Sequence, residues 1–152
     1  MEYEIVNLEA KTIVGLAART NNSAPDMGMI IGGLWTRFYQ DGIYAAISNK
    51  TNDKSLGIYT DYAGHEMDDY TVEVACEVTA AEDIPQGAMI AEIPAGKYAK
   101  FVVHGNMMQA VADFWAELWK MDLNRSFICD FEEYQDCKEE NATIHIYIGL
   151  AE

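Results

Sequence analysis

Two stretches of the chain decide its fold: EIVNLEAKTIVGLAARTN at residues 4–21 and MIAEIPAGKYAKFVVHGN at residues 89–106. Each runs in the same order, with a short apolar segment, a small turn, a longer apolar segment and a polar stop. Few positions are identical, Ala10 and Ala95 among them. The shared pattern predicts a β-hairpin in each stretch. It also indicates that the chain contains one structural unit twice.

A segment with helical periodicity follows each of these stretches. Asp26 marks the start of the first helix, and Asn106 is suited to cap the second. Trp35 and Trp115 occupy the same place in the two helices. The apolar residues recur at the spacing of one helix face: Met27, Ile31, Leu34 and Phe38 in the first copy, and Met107, Val111, Phe114 and Leu118 in the second.

Two further apolar segments close each copy, which makes the unit strand–strand–helix–strand–strand. They are LGIYTDY (56–62) and YTVEVACEV (70–78) in the first copy, and FICDFEEY (127–134) and ATIHIYIGL (142–150) in the second. Used twice, over about residues 1–79 and 86–152, the unit predicts a single α+β domain spanning residues 1–152. We expect about eight mostly antiparallel strands packed on two helices, with a ligand cleft between the halves.

The chain is strongly acidic, with a formal net charge of −15 over 152 residues. That charge argues against binding to nucleic acid or to an anionic membrane, and it suits a cationic ligand or a basic protein partner. Cys76, Cys129 and Cys137 lack metal-ligand spacing and are typical of reduced thiols in a cytoplasmic protein. His65 has no partner at ligand spacing, so neither a metal nor a cofactor is expected. No signal peptide or membrane span is indicated.

The segment ICDFEEYQD at residues 128–136 carries two adjacent carboxylates, Glu132 and Glu133, in the middle of a predicted strand. Neighbouring residues on a strand point to opposite faces, so one of the two points inward. The residue that matches Glu132 in the first copy is Thr60. A carboxylate that breaks the internal repeat suggests a site placed on one copy of a duplicated scaffold.

Alternation in the closing strands predicts which side chains share a face of the sheet. Phe131 is assigned to the side that covers the helices. Glu132 is then assigned to the opposite side, together with His145 and Tyr147 of the last strand. These three side chains are expected to face one space away from the helix core.

Taken together, these motifs resemble the GyrI-like small-molecule-binding domain, the effector-binding part of AraC-type and MerR-type multidrug-responsive regulators. The family's F-E-x-Y motif corresponds to Phe131, Glu132 and Tyr134. The resemblance spans essentially the whole chain and implies a ligand pocket lined by aromatic rings, with the glutamate at its base and Tyr147 facing it. The segments that carry it are GGLWTRFYQDGI (32–43), LGIYTDY (56–62), IPAGKYAKFVVHGN (93–106), FWAELWK (114–120) and DFEEY (130–134).

The candidate ligand-binding residues combine the carboxylate, its neighbours in the strands and the aromatic residues of the two helices. They are Glu132, Tyr147, His145, Trp35, Trp115, Tyr59, Tyr98, Phe38, Tyr134 and Glu73. A carboxylate taken out of water favours a cationic partner, and aromatic walls add about 0.5–2 kcal/mol by cation–π contact.

Three functions remain open from the sequence. The first is sensing or sequestration of amphipathic, cationic or flat aromatic compounds by a stand-alone domain. The second, implied by some stand-alone relatives, is hydrolysis of cyclopropane-bearing genotoxins, with Glu132 as the catalytic general base and Tyr147 as a hydrogen-bond partner. The third is a protein interaction, such as inhibition of DNA gyrase or contact with a transcriptional regulator. A homodimer paired through a sheet edge also remains open.

Overall fold

The computed structural model describes residues 2–64, 68–136 and 138–151, so His65 and Cys137 lie outside the described residues. None of the helices in these ranges has the length and apolar character that a membrane crossing requires. The α+β class and the eight strands are confirmed, and one short helix, α2, was not predicted. The elements in chain order are β1 (Glu4–Leu8), β2 (Lys11–Thr20), α1 (Met27–Gln40), α2 (Ile43–Ala46), β3 (Ser55–Thr60), β4 (Tyr70–Glu77), β5 (Met89–Ile93), β6 (Gly96–Gly105), α3 (Met107–Leu118), β7 (Arg125–Tyr134) and β8 (Ala142–Leu150).

All eight strands form one antiparallel sheet in the order β1-β6-β8-β7-β3-β4-β2-β5. The predicted hairpins are wrong. Instead of pairing with its neighbour in sequence, β1 pairs with β6 of the second copy and β5 pairs with β2 of the first. The two-residue connections, Glu9–Ala10 and Pro94–Ala95, lack the Asn-Gly or Asp-Gly pairs that tight hairpin turns favour. The two copies meet where β3 pairs with β7, and the exchange places the first strand of each copy at the outer edge of the other copy's strands.

The two long helices pack on one face of the sheet, each on strands of its own copy. Leu34 and Phe38 of α1 belong to a core with β2 and β4, and Phe114 and Leu118 of α3 belong to a core with β6 and β8. The side chain of Asn106 accepts hydrogen bonds from two backbone amides in the first turn of α3, as predicted for an N-cap. Between the helices lies the centre of the sheet, where β3 pairs with β7.

The opposite face of the sheet is also buried. Its core contains Ile13, Leu56, Ile58, Ala75, Ile93, Tyr98, Cys129, Phe131 and Tyr147. Ile93 and Tyr98 come from strands near opposite ends of the sheet, so the sheet bends around this second core. Both faces of the central strands are therefore out of water.

Candidate functional site

The register of β7 with β8 fixes which side chains share a face. Glu132 lies opposite Ile146, whereas Phe131 lies opposite Tyr147. Ile146 belongs to the core under α3, so Glu132 faces the helices. Phe131 and Tyr147 belong to the other core. The prediction that Glu132, His145 and Tyr147 share one face is therefore wrong.

The physical reason is that β7 is buried on both sides. The alternation of apolar and polar residues predicts which face of a strand is buried only when one face is apolar and the other is in contact with water. Here Phe131 and Glu132 are both almost completely buried, with exposed fractions of 0% and 2%. The aromatic residue was assigned to the helix side because it is apolar, but the second core offers it an equally dry place.

The Glu132 carboxylate accepts three hydrogen bonds, all from residues on the predicted ligand-binding list. Tyr59 Oη donates to Oε2 at 3.0 Å, and Trp115 Nε1 donates to the same oxygen at 2.8 Å. Tyr134 Oη donates to Oε1 at 2.8 Å. The donors come from β3, α3 and β7, so the carboxylate joins three elements at the seam between the two copies.

The Glu132 carboxylate can approach the β3 backbone closely at this seam because residue 57 is glycine. Gly57 is the partner of Glu132 in the β3–β7 ladder. A Cβ atom at this position would lie 3.1 Å from Glu132 Oε1 and 3.4 Å from Trp35 Cζ2. The glycine thus leaves the room in which the carboxylate and the indole ring pack.

Burial raises the pKa of Glu132, while the hydrogen bonds from Trp115, Tyr134 and Tyr59 oppose that shift. Burial and the Glu132 charge likewise raise the pKa of Tyr59, which keeps this phenol a donor at neutral pH. Among the described residues, no Lys, Arg or His forms an ion pair with Glu132. The groups that contact this carboxyl are neutral dipoles, and the described residues give it no cationic partner.

A cavity of 320 Å³ lies between α1 and α3, directly over this network. Tyr59 and Trp115 form part of its wall, and both donate to Glu132, so the carboxylate lies immediately behind the wall. Trp119, which is 47% exposed, also contacts the cavity. The lining residues are Asn22, Met27, Ile31, Tyr59, Tyr62, Tyr70, Ala112, Trp115, Trp119 and Arg125.

Three other predicted residues contact the carboxylate or one another and do not belong to the lining of the cavity. Tyr134 holds one oxygen of the carboxylate. Trp35 packs edge-on against Tyr134, with ring centroids 5.2 Å apart. Phe38 is fully buried in the core under α1 and meets Trp35 edge-on at 6.5 Å. These rings support the site and do not line the cavity.

The structure places the remaining predicted residues on the opposite side of the sheet. Tyr147 stacks on Phe131 at 4.6 Å, and Tyr98 meets the same ring edge-on at 5.7 Å. His145 lies 3.9 Å from a carboxylate oxygen of Glu133. Glu73 is 7% exposed, and burial, with Asp61 nearby, raises its pKa to about 7. None of these predicted residues reaches the cavity over Glu132.

A second cavity, of 460 Å³, lies at the end of the sheet where β6, β7 and β8 meet. Its wall includes Tyr98, Cys129, Ile128 and Arg125. It has no contact with Glu132 or with the three side chains that bind that carboxylate. We therefore assign the candidate site to the cavity between the helices.

Sequence reasoning missed the polar group at one end of that cavity. Arg125 forms an ion pair with Asp130 at 2.7 Å, and Tyr62 Oη donates to the same carboxylate oxygen at 2.6 Å. Asp130 is fully buried. Two signals were available, since Asp130 lies two residues before Glu132 on the same strand face and Tyr62 matches Tyr134 in the internal repeat.

Comparisons with known proteins agree with this architecture. The family model described as Cass2, integron-associated effector binding protein, matches residues 4–150. The chain is similar to an integron cassette protein from the mobile metagenome of Vibrio cholerae, with 26% identity, a TM-score of 0.80, and coverage of 98% of this chain and 95% of that one. No curated protein sequence matches.

Two further solved structures share the fold. One is SAV2435 bound to tetraphenylphosphonium, with 23% identity, a TM-score of 0.81, and coverage of 99% of this chain and 94% of that one. The other is the C-terminal domain of EcmrR, with 15% identity, a TM-score of 0.63, and coverage of 100% and 99%. The chain therefore belongs to the Cass2 family of integron-associated effector-binding proteins and has the GyrI-like fold that its motifs resemble.

Proposed function

We propose that the protein binds weakly hydrated organic cations with aromatic groups in the cavity between α1 and α3. The observation that carries this proposal is a buried carboxylate directly behind an aromatic wall, for which the described part of the chain supplies no cationic partner. Glu132 supplies the negative charge. Tyr59 and Trp115 supply ring surfaces to the cavity. The carboxylate polarises their O–H and N–H bonds, so its negative potential extends to the rings that a ligand would contact.

The chemistry of the wall favours one class of cation. A buried carboxylate has lost hydration worth several kcal/mol, and a cation brought close to it restores part of that loss. A compact ammonium or metal ion would lose its own strong hydration on entering an apolar cavity. A cation whose charge is spread over aromatic groups loses less, and it gains about 0.5–2 kcal/mol from each well-placed ring.

The size of the cavity is compatible with a small aromatic ligand. Its 320 Å³ lies at the lower end of the roughly 300–1,000 Å³ typical of ligand sites. Trp119 is half exposed and Met27 and Ile31 lie on the opposite side, so apolar side chains flank the cavity. Family membership supports effector binding, and the tetraphenylphosphonium complex of SAV2435 supports this ligand class.

The geometry favours binding over the hydrolase considered from the sequence. A general base must reach a water molecule next to the reacting atom. Both oxygens of Glu132 already accept hydrogen bonds, and Tyr59 and Trp115 stand between the carboxylate and the cavity. Interactions with DNA gyrase or a regulator, a homodimer and a cytoplasmic location stay predictions.

Titration with two ions of nearly equal shape and opposite charge tests the proposal. We expect tetraphenylphosphonium to quench tryptophan fluorescence saturably, because Trp115 and Trp119 line the cavity. Tetraphenylborate should bind about 10,000-fold more weakly. Unit charges about 6 Å apart interact by roughly 3 kcal/mol at an effective dielectric constant of about 20, and this is attraction for the cation and repulsion for the anion, so the two ions differ by about 5–6 kcal/mol. Equal affinity for the two ions would show that only apolar contact matters and would contradict the proposal.

A further inference from the structure

Arg125, at the start of β7, is the cationic side chain among the described residues that line the cavity between the helices, and it also borders the second cavity. Its side chain is only 7% exposed. One nitrogen lies 2.7 Å from Asp130 Oδ2, and the guanidinium carbon lies 4.3 Å from the centre of the Phe127 ring. The same carbon lies 6.0 Å from the centre of the Trp115 ring. The guanidinium is therefore held in one place by a carboxylate and two aromatic rings.

This guanidinium has more donors than partners. An arginine carries five N–H donors. In the part of the chain that the structure describes, the Arg125 side chain makes one hydrogen bond, to Asp130, and its buried Nε has no partner. Asp130 also accepts from Tyr62 Oη and the Gly149 amide, and the remaining Arg125 N–H groups do not donate to it. A buried donor without an acceptor is rare in folded proteins and calls for an explanation.

Trp115 connects this donor to the proposed cation site. Its Nε1 donates to Glu132, while its ring faces Arg125. The carboxylate therefore lies at the N–H edge of the indole ring, and the guanidinium lies over its face. Because Asp130 neutralises Arg125, the guanidinium does not by itself exclude a cation from the cavity, yet it still offers unused N–H groups.

We propose that Arg125 recognises an acceptor oxygen on the bound cation, an inference that rests on the function proposed above. The preferred ligands are then aromatic cations that carry a carbonyl or carboxylate oxygen about one ring away from the cationic centre. The oxygen accepts from the Arg125 guanidinium while the cationic part lies against Tyr59 and Trp115. Arg125 thus selects among cations that Glu132 alone would not distinguish.

Three matched probes test this selection: benzyltriphenylphosphonium, its 4-methoxycarbonyl derivative and its 4-carboxy derivative. We expect the two acceptor-bearing cations to bind the wild-type protein about tenfold more tightly than the unsubstituted one, the usual size of a hydrogen bond to a charged group. Equal affinity for all three would overturn the role of Arg125 without contradicting the proposed cation site. Failure of all three to bind would contradict both proposals.

Two further measurements separate recognition from folding. In Arg125→Lys the advantage of the acceptor-bearing probes should vanish, whereas Arg37→Lys, on the exposed side of α1, should keep it. The chain has three arginines, Arg19, Arg37 and Arg125, so Nε–H signals of ¹⁵N-arginine can be assigned by substitution at the other two. The Arg125 signal should move with the carboxylate probe and not with the unsubstituted one. An unmoved signal would overturn the inference even if Arg125→Lys does not fold.

Discussion

Glu132→Gln is expected to weaken the binding of tetraphenylphosphonium about 100-fold at neutral pH. The amide keeps the shape of the site, because its oxygen can accept from Tyr59 and Trp115 while its nitrogen donates to Tyr134. What it removes is the charge. Removing one partner of a buried charge pair costs about 2–5 kcal/mol, which is a loss of roughly 30- to several-thousand-fold in affinity. Isothermal titration of the two proteins measures this difference.

Glu73→Gln is the matched control for this experiment. It is the same chemical change at another buried carboxyl, but Glu73 lies on the face of the sheet away from the cavity. We expect its affinity for tetraphenylphosphonium to equal that of the wild type. The melting temperature of Glu132→Gln should be unchanged or higher, because burial raises the pKa of Glu132 and its charge costs folding free energy above that pKa. A folded Glu132→Gln protein with wild-type affinity would refute the charge role.

The affinity for tetraphenylphosphonium is also expected to depend on pH through the same carboxylate. Burial raises the pKa of Glu132 above its ordinary value of 4.5, and a bound cation should lower it again. Below the pKa of the free protein, binding must therefore release a proton. Affinity should be constant above that pKa and fall by about tenfold for each pH unit below it, until the pKa of the complex is reached.

Calorimetry in buffers of different ionisation enthalpy checks this dependence, since it counts the protons released. Glu132→Gln should show a flat profile. Burial raises the pKa of Glu73 to about 7, so Glu73 is a second carboxyl that could cause a pH dependence. If the affinity of Glu73→Gln depends on pH as that of the wild type does, Glu73 is excluded as the cause. Affinity of the wild-type protein that stays constant from neutral pH down to the ordinary carboxyl range would contradict the role given to Glu132.

Local patterns predicted much of the fold and part of the site. The apolar spacing on α1 and α3 and the Asn106 cap depend on neighbours in sequence, which a single sequence shows directly. The pairing of strands does not depend on neighbours in sequence. The exchange of β1 and β5 between the copies is set by contacts across the whole chain, so the hairpins expected from proximity do not form.

The residues around Glu132 were predicted because a carboxylate interrupts an apolar strand, whereas the facing of side chains was predicted wrongly where a strand is buried on both sides. Glu132 stood out because a carboxylate interrupts an apolar strand, and Tyr59, Trp115 and Tyr134 are its donors. Arg125 was not foreseen. The register of β7 with β8 shifts between Arg125 and Asp130, an irregularity that strict alternation cannot place.

The central claim is that an aromatic cation occupies the cavity between α1 and α3 over Glu132, and its position in a crystal tests this most directly. Tetraphenylarsonium has nearly the shape of tetraphenylphosphonium, and anomalous scattering locates its arsenic without bias. We expect the arsenic peak in the cavity lined by Tyr59 and Trp115. A peak confined to the second cavity, beside Tyr98 and Cys129, or to the outer surface would contradict the account.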